Sequence, residues 1–348
     1  MDARHHAAEV LPTHTPELFR AAVRRAAALL RAGELVALPT ETVYGLAANA
    51  LDARAVAKIY EAKGRPAHNP IIIHVEGLAM AQRCVRVWPE AAARLARSFW
   101  PGPLTLVLPR AEGIPDIVTA GGDTVGVRWP SHPFMQAVIR ECGFPLAAPS
   151  ANLSNQISPT NAEHVRQGLG DRLALIVDGG QSQVGLESTV VDASGPVARV
   201  LRPGMIHAPA LAAALGDLPM AAEEMGAASE GSAVTEPLRS PGLLERHYAP
   251  TARLVVCQWR DEEELLAQLA PYRAHAAYTF VIAHTRIPGG TNFGGVSVIP
   301  HDAEAYARAL YAELHRCDTA GGEMIAVETP PSGPEWVAIA DRLRRASA

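Results

Sequence analysis

The chain lacks the short motifs that most often mark a nucleotide or catalytic site. It has no GxxxxGK[ST] phosphate loop, no GxGxxG at the start of a βαβ unit, no GxSxG elbow and no HExxH pair. Any nucleotide site must therefore be of another type. Cysteine is scarce: Cys84, Cys142, Cys257 and Cys317 lie far apart and form no CxxC or Cys/His ligand spacing. They read as buried thiols of a reducing compartment, not as a disulfide framework or a metal site. The His5-His6 pair reads as solvated. No apolar run is long enough to span a bilayer, and the first residues, MDARHHAAEVLPTHTPELF, carry no apolar core of signal-peptide type. The expectation is a soluble, cytoplasmic protein with no membrane partner. Aromatic residues make up 5% of the chain and the net charge is −5. That disfavours a broad footprint for nucleic acid and leaves open only a local basic cleft.

What is present is a substantial apolar fraction, 48% of 348 residues, enough for about two domains with cores of their own. Residues 16–32 read as a helix: Thr15 caps it, Pro16 suits its first turn and Gly33 ends it. Strand-like runs follow at 34–39, 71–75, 104–108, 124–128, 145–148, 173–177, 188–192 and 197–201, with helices near 53–62, 89–99 and 133–141. Many short strands with fewer helices predict a mixed α/β domain over 1–207. Segment 208–251 reads as a short Ala/Leu helix (208–219) and a linker rich in Ala, Glu, Gly and Ser, ending in SPGLLERHYAP (240–250). From 252 to 348 strands and helices alternate, which predicts a smaller, largely parallel α/β/α domain of Rossmann-like type.

The stretch from Glu34 to Val75 gathers Thr40, Glu41, Thr42, Tyr44, Lys63, Arg65, Asn69 and His74 around short apolar runs. Polar groups at strand ends are where open α/β sheets build ligand sites. Lys63 and Arg65, beside Gly64 and Pro66, suit an anion. Arg128 ends TVGVR, two residues before Pro130, and Arg202 ends VARVLR, directly before Pro203. Cations at strand ends fit phosphate or carboxylate, and a solvated charge is the plain alternative for each alone. Ser150, Asn152 and Ser158, in PLAAPSANLSNQISPT (145–160), either donate to phosphates or simply form a turn. Gly179-Gly180 and Ser188, in DGGQSQVGLESTVVD (178–192), suit a small polar ligand or a hairpin connection. His74 and Tyr44 read equally as core residues, and Asp178 and Asp192 have no discriminating spacing. The residues alone support an anion-binding pocket.

Taken together, LPTETVYGLAANA (38–50), IYEAKGRPAHNPIIIHV (59–75), WPGPLTLVL (100–108), TVGVRWPSHP (124–133), APSANLSNQISPT (148–160), VDGGQSQVGLESTVVD (177–192), VLRPG (200–204) and SPGLLERHYAP (240–250) resemble the YrdC-like family of threonylcarbamoyl-AMP synthases in its long, two-domain form. HDAEAYARALYAELHRCD (301–318) and IADRLRRA (339–346) are similar to that family's smaller second domain. The resemblance implies a first domain built as a twisted mixed sheet around a large concave cavity. It implies a reaction in which L-threonine and bicarbonate or CO2 form a carbamate that attacks the α-phosphate of ATP, with Mg²⁺ accompanying the nucleotide. Pyrophosphate leaves, and a separate transferase complex passes the threonylcarbamoyl group to an anticodon-adjacent adenosine of tRNA.

By the same resemblance, Thr40 and His74 contact threonine, and Arg128 pairs with its carboxylate, aided by Ser188 and the Ala148 backbone. Lys63, Arg65, Ser150 and Asn152 hold the phosphates, with Lys63 and Arg65 the catalytic cations. Thr124, Ser158 and Arg202 contact the nucleotide. Tyr248, in HYAP, reaches over the cavity. Because a carbamate is short-lived in water the site should close, and the linker before Pro250, with Gly242 and residues 220–239 as the mobile part, is expected to serve as a lid. NLSNQISPT and the Gln181–Gln183 loop depart from the family pattern and bear on Ser158. No residue stands out as the base for the threonine amine. The competing readings are a non-enzymatic RNA-binding module acting in translation, with weak direct RNA binding left open, and carbamoyl transfer in hydrogenase maturation, against which the missing CxxC pairs argue.

Overall fold

The structure, a computed structural model, describes residues 8–221, 241, 247–273, 275–289 and 292–348. The expected linker and lid therefore lie outside the described residues, except 220–221, Pro241 and 247–250. The described chain falls into two compact units. The first takes most residues up to 221 and Pro241; the second takes the chain from 247 onward with the short segments 155–158 and 184–186.

The first unit is organised by a mixed sheet of ten described strands. They are β1 (Glu9–Pro12), β2 (Val36–Leu38), β3 (Gly45–Asn49), β4 (Ile73–His74), β5 (Leu104–Pro109), β6 (Thr124–Arg128), β7 (Leu146–Ala147), β8 (Leu175–Asp178), β9 (Thr189–Asp192) and β10 (Arg199–Arg202). Their order across the sheet is β1-β8-β2-β3-β7-β4-β6-β5-β9-β10. The helices are α1 (Pro16–Arg31), α2 (Ala53–Lys63), α3 (Leu78–Cys84), α4 (Glu90–Phe99), α5 (Asp116–Thr119), α6 (Pro133–Cys142), α7 (Ala162–Leu169) and α8 (Ala208–Leu215).

Local chemistry explains the helices that flank the site. In α1 the Thr15 hydroxyl accepts the Leu18 amide at 3.3 Å, Pro16 occupies the first turn, and Ala22, Val23, Ala26, Ala27 and Leu30 form the buried stripe. That stripe meets α6, where Phe19 and Phe134 pack edge-on at 5.1 Å. In α2 the Asp52 carboxylate caps the first turn at Arg54, and Ala55, Val56 and Ile59 face the core. Gly64 then adopts the left-handed conformation at φ 59°, which stops the helix at Lys63 and turns the chain toward Arg65.

Two features depart from the sequence expectation. Strand β3, GLAAN, has no β-branched residue, yet it pairs antiparallel with β2 (Val36 with Ala47) and with β7 (Ala48 with Ala147). Tertiary pairing overrides its weak strand propensity. Helix α8 packs into the first unit: Leu211 and Leu215 join its core, and the Leu215 carbonyl and Asp217 carboxylate both bind Arg94, each at 2.6 Å.

The second unit carries β11 (Arg253–Cys257), α9 (Glu262–Leu269), β12 (Thr279–Ala283), β13 (Gly295–Val298), α10 (Ala303–Thr319), β14 (Met324–Glu328) and α11 (Val337–Ala346). Its sheet order is β11-β14-β12-β13 and every described pairing is parallel. Trp259, Leu265, Val281, Phe293 and Met324 belong to its core.

Candidate active site

The sheet order of the first unit brings its polar strand ends together. Residue 128 ends β6, and His74 on β4 is its register partner in the parallel pair β4/β6. Thr105 on β5 stands across from Arg128, because β5 runs antiparallel to β6 with Leu106 opposite Val127. Ser188 precedes β9, which runs parallel to β5, and Arg202 closes β10. The loop after β2 supplies Thr40 to Thr42, and the segment after β7 supplies Ala148 to Asn152.

Arg128 is 4% exposed and anchored on three sides. Its Nη1 donates to Thr42 Oγ1 at 2.9 Å, its Nε donates to the Gly102 carbonyl at 3.3 Å, and its Nη2 forms an ion pair with Glu41 Oε1 at 2.6 Å. The WPGP turn puts that carbonyl in place, and a side chain at Gly102 would run into the Phe99 carbonyl oxygen. Burial pushes the Glu41 carboxyl upward in pKa. The charge and hydrogen bond of Arg128, with the Ser131 and Glu41 amides, outweigh that and hold it below the usual carboxylate value.

The Thr40 hydroxyl donates to the Val43 carbonyl at 2.6 Å and accepts the Thr42 amide, which tightens the loop. The Thr40 carbonyl accepts from Ser182 Oγ at 3.0 Å. His74 is 3% exposed and its Nδ1 has no hydrogen-bond partner. Burial, reinforced by Arg128, lowers its pKa well below the ordinary histidine value, so the ring is neutral. The Ala148 amide is held by the Ile72 carbonyl at 3.1 Å.

Ser188 is fixed from two sides. Its hydroxyl lies 2.8 Å from Thr105 Oγ1, and Arg202 grips its carbonyl through Nε at 3.2 Å and Nη2 at 3.0 Å, with Nη2 also 3.1 Å from Ser188 Oγ. Arg202 is 4% exposed, and its Nη1 reaches the Pro241 carbonyl at 3.3 Å. Thr124 lines a shallow recess of about 10 Å³ together with Ile72, Val107, Val125, Val190 and Pro241. The apolar floor is the sheet face itself, where Ile72, Val107 and Val190 form a cluster of their own.

Lys63 is buried at 2% exposure. Its ammonium donates to the carbonyls of Ser150 at 2.6 Å and Asn152 at 2.5 Å, with Asn152 Oδ1 at 3.4 Å. Burial, with the Arg65 charge adding to it, lowers the Lys63 pKa well below the ordinary lysine value. Arg65 is half-buried, and Asn69 holds it through its carbonyl at 3.0 Å and its side-chain oxygen at 2.8 Å. Ser150 also bridges Gly45. Lys63, Ser150 and Asn152 thus form one hydrogen-bonded group.

Two expected site residues belong to the second unit. The Ser158 carbonyl lies 3.2 Å from His315 Nε2. Tyr248 is 1% exposed, stacked on Tyr311 at 6.1 Å and covered by the Arg342 guanidinium at 5.0 Å. Tyr44 resolves as both a core residue and a polar anchor. Its buried hydroxyl donates to the Gly180 carbonyl at 2.7 Å and accepts the Gly179 amide at 3.1 Å, fixing the DGG turn.

Sequence reasoning gave no role to Glu41, Thr42, Thr105 or Gly102. The signal for Thr105 was a hydroxyl inside an otherwise apolar strand. For Glu41 it was a carboxylate between two threonines before a buried aromatic.

Residues 28–204 match the Sua5/YciO/YrdC family model, described as "Telomere recombination", and residues 206–348 match the model of the threonylcarbamoyl-AMP synthase C-terminal domain. The chain is 39% identical over 331 residues to a threonylcarbamoyl-AMP synthase of Pyrococcus abyssi, covering 93% of this chain and 94% of that one. It is 40% identical over 340 residues to one of Bacillus subtilis, covering 97% and 94%. The crystal structure of P. abyssi Sua5 complexed with L-threonine superposes with a TM-score of 0.86 at 37% identity, over 98% of each chain. This chain belongs to the Sua5/YciO/YrdC family, in its long form that carries the threonylcarbamoyl-AMP synthase C-terminal domain.

Proposed function

We propose that the chain is an L-threonylcarbamoyladenylate synthase. It condenses L-threonine, bicarbonate or CO2, and ATP, and releases pyrophosphate. This is the first step in forming threonylcarbamoyladenosine beside the tRNA anticodon. The observation that carries the reading is a buried arginine, anchored by Glu41, Thr42 and the Gly102 carbonyl, beside a neutral histidine on the paired strand (Arg128, His74). The same unit also holds a buried lysine group (Lys63, Ser150, Asn152). The near full-length likeness to a Sua5 crystallised with L-threonine supports the same reading.

In this reading Arg128 holds the threonine carboxylate, with Thr40, His74, Ser188 and the Ala148 backbone around the rest of the amino acid. The anchored carboxylate leaves the amine to form the carbamate. Lys63 and Arg65 neutralise charge that grows on the phosphates during attack, so catalysis is positioning plus electrostatics. A phosphate oxygen replacing a carbonyl as Lys63's acceptor restores the ammonium's full charge. Ser150 and Asn152 hold the phosphates, Thr124 contacts the nucleotide, and Arg202 steadies Ser188 and lies beside the nucleotide.

Among the described residues no group of three or more His, Cys, Asp or Glu could hold a metal ion. The oxygens beside Lys63 are neutral, which fits Mg²⁺ carried in on ATP and ligated by phosphates and water. Bound there, the ion would draw off charge developing on the pyrophosphate. No helix among the described residues is long and apolar enough to cross a membrane, and a step that consumes ATP and feeds tRNA modification makes the cytoplasm the proposed compartment. A downstream transferase complex consumes the product.

The test is a set of omission reactions with protein, Mg·ATP, bicarbonate and L-threonine, followed by mass spectrometry and pyrophosphate detection. Threonylcarbamoyl-AMP with matching pyrophosphate, lost on omission of any substrate, is expected. Pyrophosphate release that ignores threonine would overturn the proposal.

A further inference from the structure

We propose that Glu41 is the counter-ion for the α-ammonium group of the amino-acid substrate, so that the Glu41–Arg128 pair reads both ends of a zwitterion. The inference rests on the threonine reading above and adds a recognition element to that site.

Glu41 is 6% exposed, and the pair is buried on both sides, at 5% and 8% side-chain exposure. An ionised carboxylate has about four acceptor sites. Arg128 and the Ser131 and Glu41 amides take up to three of them, so one further donor bearing positive charge has a place to bind. Arg128 is incompletely used in the complementary sense. A guanidinium has five N–H donors. One goes to Thr42, one to Gly102 and one faces Glu41. The remaining donors, on Nη1 and Nη2, are available for a carboxylate.

Charge balance points the same way. The Glu41–Arg128 pair is neutral overall, and so is a zwitterionic amino acid. Docking one on the other buries four charges with no net excess, each beside an opposite one. Without Glu41, Arg128 would answer the substrate carboxylate and leave the ammonium buried without an anion. No other described carboxylate pairs with Arg128. The neighbouring titratable groups do not substitute for it. His74 is neutral beside Arg128. His132, which feels the Glu41 charge, has its pKa lowered by burial, and its Nδ1 accepts the Phe134 amide at 3.2 Å.

The same geometry separates binding from base catalysis. Arg128 keeps Glu41 ionised and so weakens it as a base. Glu41 therefore positions the ammonium and does not remove its proton.

The test compares two ligands by calorimetry on the full-length protein: L-threonine, and its α-hydroxy analogue, which keeps the carboxylate and lacks the ammonium. Wild type is expected to prefer threonine by at least about tenfold, the equivalent of ~1.4 kcal/mol. In Glu41→Gln that preference collapses through lost threonine affinity, while the analogue binds as well as before or better and ATP affinity is unchanged. Glu41→Asp, with the charge kept, recovers part of the preference. Equal loss of both ligands in Glu41→Gln would overturn the inference, because Glu41 would then serve only to hold Arg128. Unchanged or tighter threonine binding would overturn it too. If Glu41→Gln does not fold, wild type alone decides: no preference for threonine over the analogue sinks the counter-ion role. Binding of neither ligand to wild type would bring down the threonine reading itself, and this inference with it.

Discussion

Replacing Lys63 with methionine separates its two jobs. The change keeps an unbranched side chain of similar length and removes the ammonium. In the fold, the carbonyls of Ser150 and Asn152 lose donors at 2.6 and 2.5 Å. Each unsatisfied buried acceptor costs about 1–3 kcal/mol. The desolvation of a buried ammonium, several kcal/mol, is relieved at the same time and offsets part of that. The net destabilisation is expected near 1–3 kcal/mol, a fall in melting temperature of about 2–4 °C per kcal/mol for a unit of this size. In catalysis, the loss of one charged donor aimed at developing phosphate charge is expected to lower kcat by about 10²–10³, some 2.7–4 kcal/mol. The assay is single-turnover pyrophosphate release with saturating substrates, run well below the melting temperature of the variant. A folded Lys63→Met protein that turns over within about threefold of wild type would refute the role of Lys63, since no more than about 0.7 kcal/mol would then be at stake.

Other expectations follow from the same contacts. ATP binding should be linked to proton uptake at Lys63. Its pKa is lowered in the free protein by burial and Arg65, and an anion raises it, so affinity is full below the free-state pKa. Affinity then falls as pH rises toward the bound-state pKa, by up to ~tenfold per pH unit. Calorimetry in buffers of different ionisation enthalpy reads the uptake, and Lys63→Met should abolish it. Arg202→Met removes the grip on the Ser188 carbonyl and hydroxyl. It should raise the threonine KM about tenfold, equivalent to the ~1.4 kcal/mol expected from a misplaced charge-assisted contact. An unchanged KM would show that Ser188 does not need it. Tyr44→Phe leaves the Gly179 amide and Gly180 carbonyl without their shared hydroxyl. It should cost about 1–3 kcal/mol in thermal or denaturant unfolding, and no loss would mean that water replaces the hydroxyl.

The framework was legible where side chains carry their own instructions. Thr15, Pro16 and Gly33 bracket α1, and the apolar runs at 104–108 and 124–128 became β5 and β6. Strand β3 was not legible, because GLAAN becomes a strand only when β2 and β7 lie beside it. The site was legible as a set of polar residues at strand ends, but not as a network. A sequence places Lys63 near Arg65 and suggests an anion hole. It does not show that the Lys63 ammonium sits on two backbone carbonyls from a segment some ninety residues away. Nor does it show that Glu41 and Arg128, 87 positions apart (128 − 41), share one buried contact. Those pairings come from sheet order, which local periodicity does not encode.

The central claim is that anchoring the threonine carboxylate on Arg128 leaves the amine side to meet ATP. Reaction of the full-length protein with carbon-isotope-labelled bicarbonate, L-threonine and Mg·ATP, followed by mass spectrometry of the nucleotide product, tests it most directly. The account predicts a threonine- and AMP-containing product that carries the label in every molecule. A product that joins threonine to AMP without the label, an aminoacyl adenylate made through the amino-acid carboxylate, would contradict it.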